Sequence, residues 1–281
     1  MSPHIAVITD STACLPEQLA AQWGISVVQV QLHVGDQTDD EHRFDRARLI
    51  ELMRAGTPVT TSPPDSGAFF WAYQEAASSG ASAIVSVHIS GRMSETVQRA
   101  REAAQQVRIP VHVLDSGTTG MSLGFAAISA ARVAAAGGQL GRVIDAAERR
   151  FRTSTELIYV DSLEWLRRGG RIGAAQAMLG TALSIKPLLT VRDGEVAPVA
   201  RVAGTKRALA KLVELAVTTA GEGKVDVAVT RFGAEDREVE IGAALKRRLP
   251  HLADSMMVEA STIIGAHVGP GAVGITLSPA A

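Results

Sequence analysis

The chain has a single cysteine, Cys14, among 281 residues, which excludes an intramolecular disulfide and any metal site built from clustered thiolates. Aromatic residues make up only 4%, so the interior has to be filled by aliphatic side chains and alanine. Net charge is almost nil: 28 Lys and Arg against 29 Asp and Glu give −1, which offers no bulk attraction to nucleic acid or an anionic membrane. No stretch reaches the roughly 18 uninterrupted apolar residues of a membrane-crossing helix. The start, Met1-Ser2-Pro3-His4-Ile5, lacks a basic segment followed by an apolar run, so no secretory leader is read and a cytoplasmic protein is expected. Three catalytic signatures are missing as well. The first strand is followed by Thr9-Asp10-Ser11-Thr12-Ala13 instead of a Gly-x-Gly-x-x-Gly turn, and neither a P-loop nor a Gly-x-Ser-x-Gly elbow occurs.

What remains is a composition of 46% hydrophobic and 20% charged residues, ample for a packed core, at a length that favours two domains. Short β-branched runs at 5–8, 83–87 and 111–114 each end in a polar turn and lead into helical patterns at 16–23, 94–107 and 120–136. This alternation predicts β-α-β units and an N-terminal parallel-sheet, Rossmann-like domain over 1–153. Ligands of such sheets sit beyond the carboxyl ends of the strands, where this chain carries its hydroxyl-rich turns. Gly137-Gly138 reads as a helix stop, with the boundary after the next helix. From 154 to 281 the strands lie closer together, at 157–160, 188–191, 196–202, 225–229, 256–259 and 273–277, with a hairpin turned at Asp193-Gly194 and helices at 205–220 and 235–249. A C-terminal mixed α/β domain is expected there.

Three segments carry the candidate chemistry. One is Gly265-Ala266-His267-Val268-Gly269-Pro270-Gly271, read as a glycine loop that aims one imidazole. The others are Thr60-Thr61-Ser62-Pro63-Pro64 and Ser90-Gly91-Arg92-Met93-Ser94-Glu95-Thr96. Together they suggest an anion held by neutral donors. Ser94 also reads as the cap of a helix starting at Glu95, and Thr61 or Ser62 as the cap of the helix holding Phe69, Phe70 and Trp71. His267 has no second ligand at metal spacing, so no metal is expected. Asp10, Asp115 and His267 are the residues from which an acid–base group of a hydrolase would have to be drawn, although no nucleophile is marked. The run Arg167-Arg168-Gly169-Gly170-Arg171 fits a helix C-terminus stopped by glycine, with Arg171 beyond it. Residues 172–185 read as an apolar, small-residue helical stretch, in which core and tunnel wall look alike.

Taken in order, these pieces resemble the DegV family of bacterial fatty-acid-binding proteins over nearly the whole chain. The resemblance rests on Asp10-Ser11-Thr12-Ala13 with Leu15-Pro16, Thr61-Ser62 with Pro64, Ser90 with Ser94, Thr96, Gln98 and Ala100, and Asp115-Ser116. It continues with Leu166 and Gly169-Gly170-Arg171, Ile185-Lys186-Pro187-Leu188-Leu189 before Asp193-Gly194, and His267-Val268-Gly269-Pro270-Gly271. The chain departs from the family pattern at Cys14, Pro63, Glu95 and Ala203. The resemblance implies a non-catalytic binder that buries one long-chain fatty acid, C14 to C18 such as palmitate, between its domains and uses no other cofactor. It implies a carboxylate site of Thr61, Ser62, Ser94, His267 and Gly269, and a partner-facing Arg171 and Arg201. The implied partner is an ATP-dependent fatty acid kinase that forms an acyl phosphate for lipid synthesis, with room for transient membrane contact and no role for nucleic acid. A binding module for another small lipid or acid, or an acyl hydrolase, stands as the alternative.

Overall fold

The computed structural model describes residues 4–180 and 184–280. Its first sheet is parallel and four-stranded, built from β1 (Ile5–Asp10), β2 (Ile25–Val28), β6 (Ala83–His88) and β7 (Val111–Asp115) in the order β2-β1-β6-β7. Strand β6 is buried along its whole length, as a central parallel strand covered on both faces must be. The sequence reading missed a second, three-stranded antiparallel sheet, β4-β3-β5, made from β3 (Gln31–Val34), β4 (Gln37–Asp40) and β5 (Val59–Ser62). Each of these strands has four residues, and β4 is Gln-Thr-Asp-Asp, so no apolar alternation announces it.

The third sheet has six strands in the order β10-β9-β8-β13-β11-β12. They are β8 (Thr155–Tyr159), β9 (Ile185–Arg192), β10 (Glu195–Ala203), β11 (Val225–Phe232), β12 (Leu252–Glu259) and β13 (Ala272–Pro279). Only β11 and β12 run parallel, so the sheet is mixed. The Asp-Gly hairpin forms as expected: Arg192 pairs with Glu195, and Asp193 and Gly194 take φ of 52° and 80°.

Ten α-helices connect these strands among the described residues: α1 (Glu17–Trp23), α2 (Arg46–Arg54), α3 (Ser66–Ser78), α4 (Thr96–Ala104), α5 (Gly120–Ala135), α6 (Leu140–Thr153), α7 (Glu164–Arg168), α8 (Thr205–Ala220), α9 (Glu235–Arg248) and α10 (Thr262–Val268). Helix α5 is the central pillar. It is buried almost throughout, packs on α6, and touches both β1 and β13, so it belongs to the contact between the two larger sheets. Gly124 lets it approach the first strand's turn; a Cβ there would strike the Ala13 carbonyl.

Two helix readings need correction. Residues 172–185 do not form one helix: a short 3-10 segment spans Gly173–Met178, Gly173 and Gly180 take positive φ, 181–183 fall outside the described residues, and β9 begins at Ile185. His267 sits in the last turn of α10, not in a loop; the glycine-proline loop follows it.

Candidate functional site

Strand β5 carries Thr61 and Ser62, and α10 carries His267. The helix holding Phe69 is capped by Asp65, whose Oδ1 accepts the Gly67 N–H at 2.8 Å, so Thr61 and Ser62 are free of capping duty. Ser94 does serve its helix: its Oγ accepts the Thr96 N–H at 3.3 Å and lies 2.7 Å from Thr96 Oγ1. Glu95 points outward, its side chain three-quarters exposed, near Arg99.

Thr61, Ser62, Ser94 and His267 line one cavity, and so does Arg171. The void is small, about 70 Å³. Its apolar lining draws on both parts of the chain, with Val30, Ile89 and Met93 from the first and Ile158, Leu166, Val191, Val196, Ile263 and Ile264 from the second. The lining is thus mainly aliphatic, with Thr12 and Thr119 as further hydroxyl-bearing residues.

His267 Nε2 lies 2.9 Å from Thr61 Oγ1, while Nδ1 is buried without a hydrogen-bond partner. A Cβ on Gly169 would overlap Nδ1, so the ring rests directly on that glycine's backbone. With only a Cα–H beside it, Nδ1 is the nitrogen to leave unprotonated, an assignment from the network. Nε2–H then donates to Thr61 Oγ1, and the Thr61 hydroxyl hydrogen is left to face an acceptor in the cavity. Although part of the ring faces the cavity, it lies deep in the protein. Burial, helped by the nearby Arg171 charge, lowers its pKa to about 4, so it is neutral at pH 7. His267 therefore serves as a neutral member of the site, in keeping with the neutral donors read from the sequence.

The permanent cation at the cavity is Arg171. Its Nε donates to the Met93 carbonyl at 3.0 Å and Nη1 to the Gly169 carbonyl at 2.8 Å, which fixes a guanidinium expected on a partner-facing surface into the cavity wall instead. The anion site is therefore not built from neutral donors alone. Arg201 lies apart, exposed on β10 and bonded to the Ala177 carbonyl. Gly269 does not line the cavity; at φ 80° it makes room for the Trp165 indole, which a Cβ would strike.

The structure separates the acid–base candidates. Asp10 Oδ2 lies 3.1 Å from His88 Nδ1, both fully buried, and His88 Nε2 lies 2.6 Å from Ser86 Oγ, which lies 2.8 Å from Tyr73 OH. Asp115 instead receives the N–H groups of Gly91 and Gly117. Neither carboxylate meets His267. Asp10 also fixes Thr12, a cavity residue, by accepting its N–H at 3.0 Å and its hydroxyl at 2.5 Å. Sequence reasoning quoted Thr12 within a motif but did not place it in the site; its position after the first parallel strand was the available signal. Glu41 was missed altogether. Buried, it accepts from the Ser261 and Thr262 hydroxyls and the Thr262 N–H, anchoring the first turn of the helix that ends in His267.

Comparison with known proteins agrees with this architecture. A DegV domain-containing protein of Streptomyces coelicolor is 42% identical over 279 residues, covering 99% of each chain. One from Deinococcus radiodurans is 39% identical over 282 residues, covering 98% of each. A DegV family protein from Thermus thermophilus, whose structure was described for its fatty acid binding, superposes with a TM-score of 0.93 at 30% identity, covering 99% of this chain and 100% of that one. DegV of Bacillus subtilis, described as a fatty acid binding protein, gives a TM-score of 0.89 at 29% identity over 99% and 100% of the two chains. The family profile described as "Uncharacterised protein, DegV family" matches residues 4–280, and this chain belongs to the DegV family.

Proposed function

We propose that this protein binds one long-chain free fatty acid, with the tail between the two halves of the chain and the carboxylate at Thr61, Ser94 and Arg171. The observation that carries the reading is one cavity that brings these three residues together within a mainly aliphatic lining. A buried carboxylate has to recover the hydrogen bonds it leaves in water. Two hydroxyls supply neutral donors and the pinned guanidinium supplies charge, while His267 orients Thr61 as a donor. Each buried methylene adds about 0.8 kcal/mol before association costs, so a C14 to C18 tail supplies most of the affinity. The fatty acid binding described for the Thermus thermophilus and Bacillus subtilis relatives supports the same reading.

In this proposal the protein is a carrier and supplies no catalytic group. It offers the carboxylate to a separate ATP-dependent fatty acid kinase, whose product is an acyl phosphate, with Arg201 on the docking side. Native mass spectrometry of the purified protein is expected to show a co-purified C14 to C18 acid. The double variant Thr61→Ala, Ser94→Ala is expected to keep the fold and weaken palmitate binding by about a hundredfold, from two lost hydrogen bonds to a charged group. Unchanged affinity would reject the site. For the kinase step, release of ADP and acyl phosphate only when kinase, ATP and loaded binder are combined is the expected result.

A further inference from the structure

The cavity wall contains a hydroxyl that its own local structure leaves idle. Thr119 precedes the first turn of α5, where a threonine side chain ordinarily accepts a backbone N–H from that turn. It makes no such bond. The Ser122 N–H it could take is bonded at 2.8 Å to Oε1 of Glu156, a carboxylate reaching in from β8. Thr119 Oγ1 is consequently sealed from solvent without a hydrogen-bond partner, and Thr119 lines the same cavity as Ile89, Met93 and Ile264. In a purely hydrocarbon channel this is a poor choice of residue, because valine has the same shape and leaves no polar group unsatisfied.

Thr12, on the 3-10 turn that packs against α5, lines the cavity too. Its hydroxyl hydrogen is committed to Asp10 Oδ1, so its oxygen is left only to accept. The wall thus offers one accepting oxygen and one hydroxyl that can donate. An alcohol, which donates one hydrogen bond and accepts others, satisfies both.

We infer that the acyl channel takes a fatty acid bearing a hydroxyl along its chain, which accepts from Thr119 and donates to Thr12. This rests on the fatty-acid reading above and adds to it a chemical class of tail. A saturated, unsubstituted chain would cover Thr119 and leave its hydroxyl unmet.

The test is competition binding on the whole protein, with stearic acid set against hydroxystearic acids that differ in the carbon carrying the hydroxyl. Wild type is expected to prefer one positional isomer over stearate. That preference is expected to fall about tenfold in Thr119→Val, the equivalent of one lost hydrogen bond, and to survive in Thr119→Ser. Far-ultraviolet circular dichroism reports that Thr119→Val folds; Thr119→Ala gives the same hydroxystearate-to-stearate comparison if valine distorts the start of α5. An identical hydroxystearate-to-stearate ratio in wild type and in the valine or alanine variant overturns the inference, and is the result expected if a water satisfies Thr119. Failure of wild type to bind any of these acids overturns the fatty-acid reading as well.

Discussion

At the scale of single residues, His267 shows how surroundings set chemistry. An imidazole in water titrates near 6.5, and burial lowers this one to about 4. Between those values the unfolded chain binds a proton that the folded one refuses, so stability falls as pH drops through that window. Against His267→Gln, unliganded wild type should lose on the order of 2–3 kcal/mol between pH 6.5 and 4, read by urea unfolding at each pH. Parallel pH curves for the two proteins would contradict the burial argument. Gly169 is the companion case. Its lack of a side chain is what lets the ring lie where it does, so Gly169→Ala should cost about 1–3 kcal/mol from overpacking and loosen the Thr61 contact. Weakened palmitate binding in a folded Gly169→Ala protein is the expected readout.

At the scale of elements, two carboxylates hold helix starts from outside the helix. Glu41 does this for α10, and Glu156 for α5. Removing Glu41 as Glu41→Ala orphans two hydroxyls and a backbone N–H, which should destabilise the protein by roughly 2–4 kcal/mol and weaken ligand binding through displacement of α10. Urea midpoints and palmitate titration together check this. Glu156 acts with the opposite pH sense to His267. Burial raises its pKa to about 7 from the usual 4.5, against the pull of the Ser122 N–H and the Thr276 hydroxyl. The folded carboxyl stays protonated while the unfolded one ionises, so this contribution is full below about pH 4.5 and lost as pH rises through 7. Relative to Glu156→Gln, wild type should lose roughly 3 kcal/mol over that rise. If the difference between the two proteins stays constant with pH, Glu156 ionises freely when folded.

At the scale of the whole molecule, the cavity exists only because distant segments meet: the turns after β1 and β6, strand β5, the third sheet and α10. The core around α5 includes Val85 and Val87 of the first sheet together with Ala228 and Val258 of the third. The β9–β10 hairpin also clasps the loop before α4, with Ser90 Oγ donating to the Gly194 carbonyl and Arg92 to the Asp193 carbonyl. Shared core and latch predict one cooperative unfolding transition, seen as coincident urea curves by tryptophan fluorescence and far-ultraviolet circular dichroism. Two separated transitions would show that the halves fold independently. Palmitate at about a hundred times its dissociation constant should add about 2.7 kcal/mol to wild type, and far less to the Thr61→Ala, Ser94→Ala variant.

Periodicity and turn chemistry were enough to read β1, β6 and β7, the helices after them, the Asp193-Gly194 hairpin and the mixed character of the second half, because each is a local property of the chain. The residue types of the polar patch, Thr61, Ser62, Ser94 and His267, were legible for a related reason: hydroxyls and a lone histidine among glycines stand out from an aliphatic background. Only the tertiary structure decided that β5 rather than a helix start presents Thr61, that Arg171 turns inward, and that Asp10 belongs to His88. Each of these depends on partners far along the chain. It also decided which aliphatic residues face the cavity. Ile158 in a channel wall and Leu157 in a packed core have the same chemistry, and what separates them is that neighbours on one strand point to opposite faces, one of which meets a void that distant segments leave unfilled.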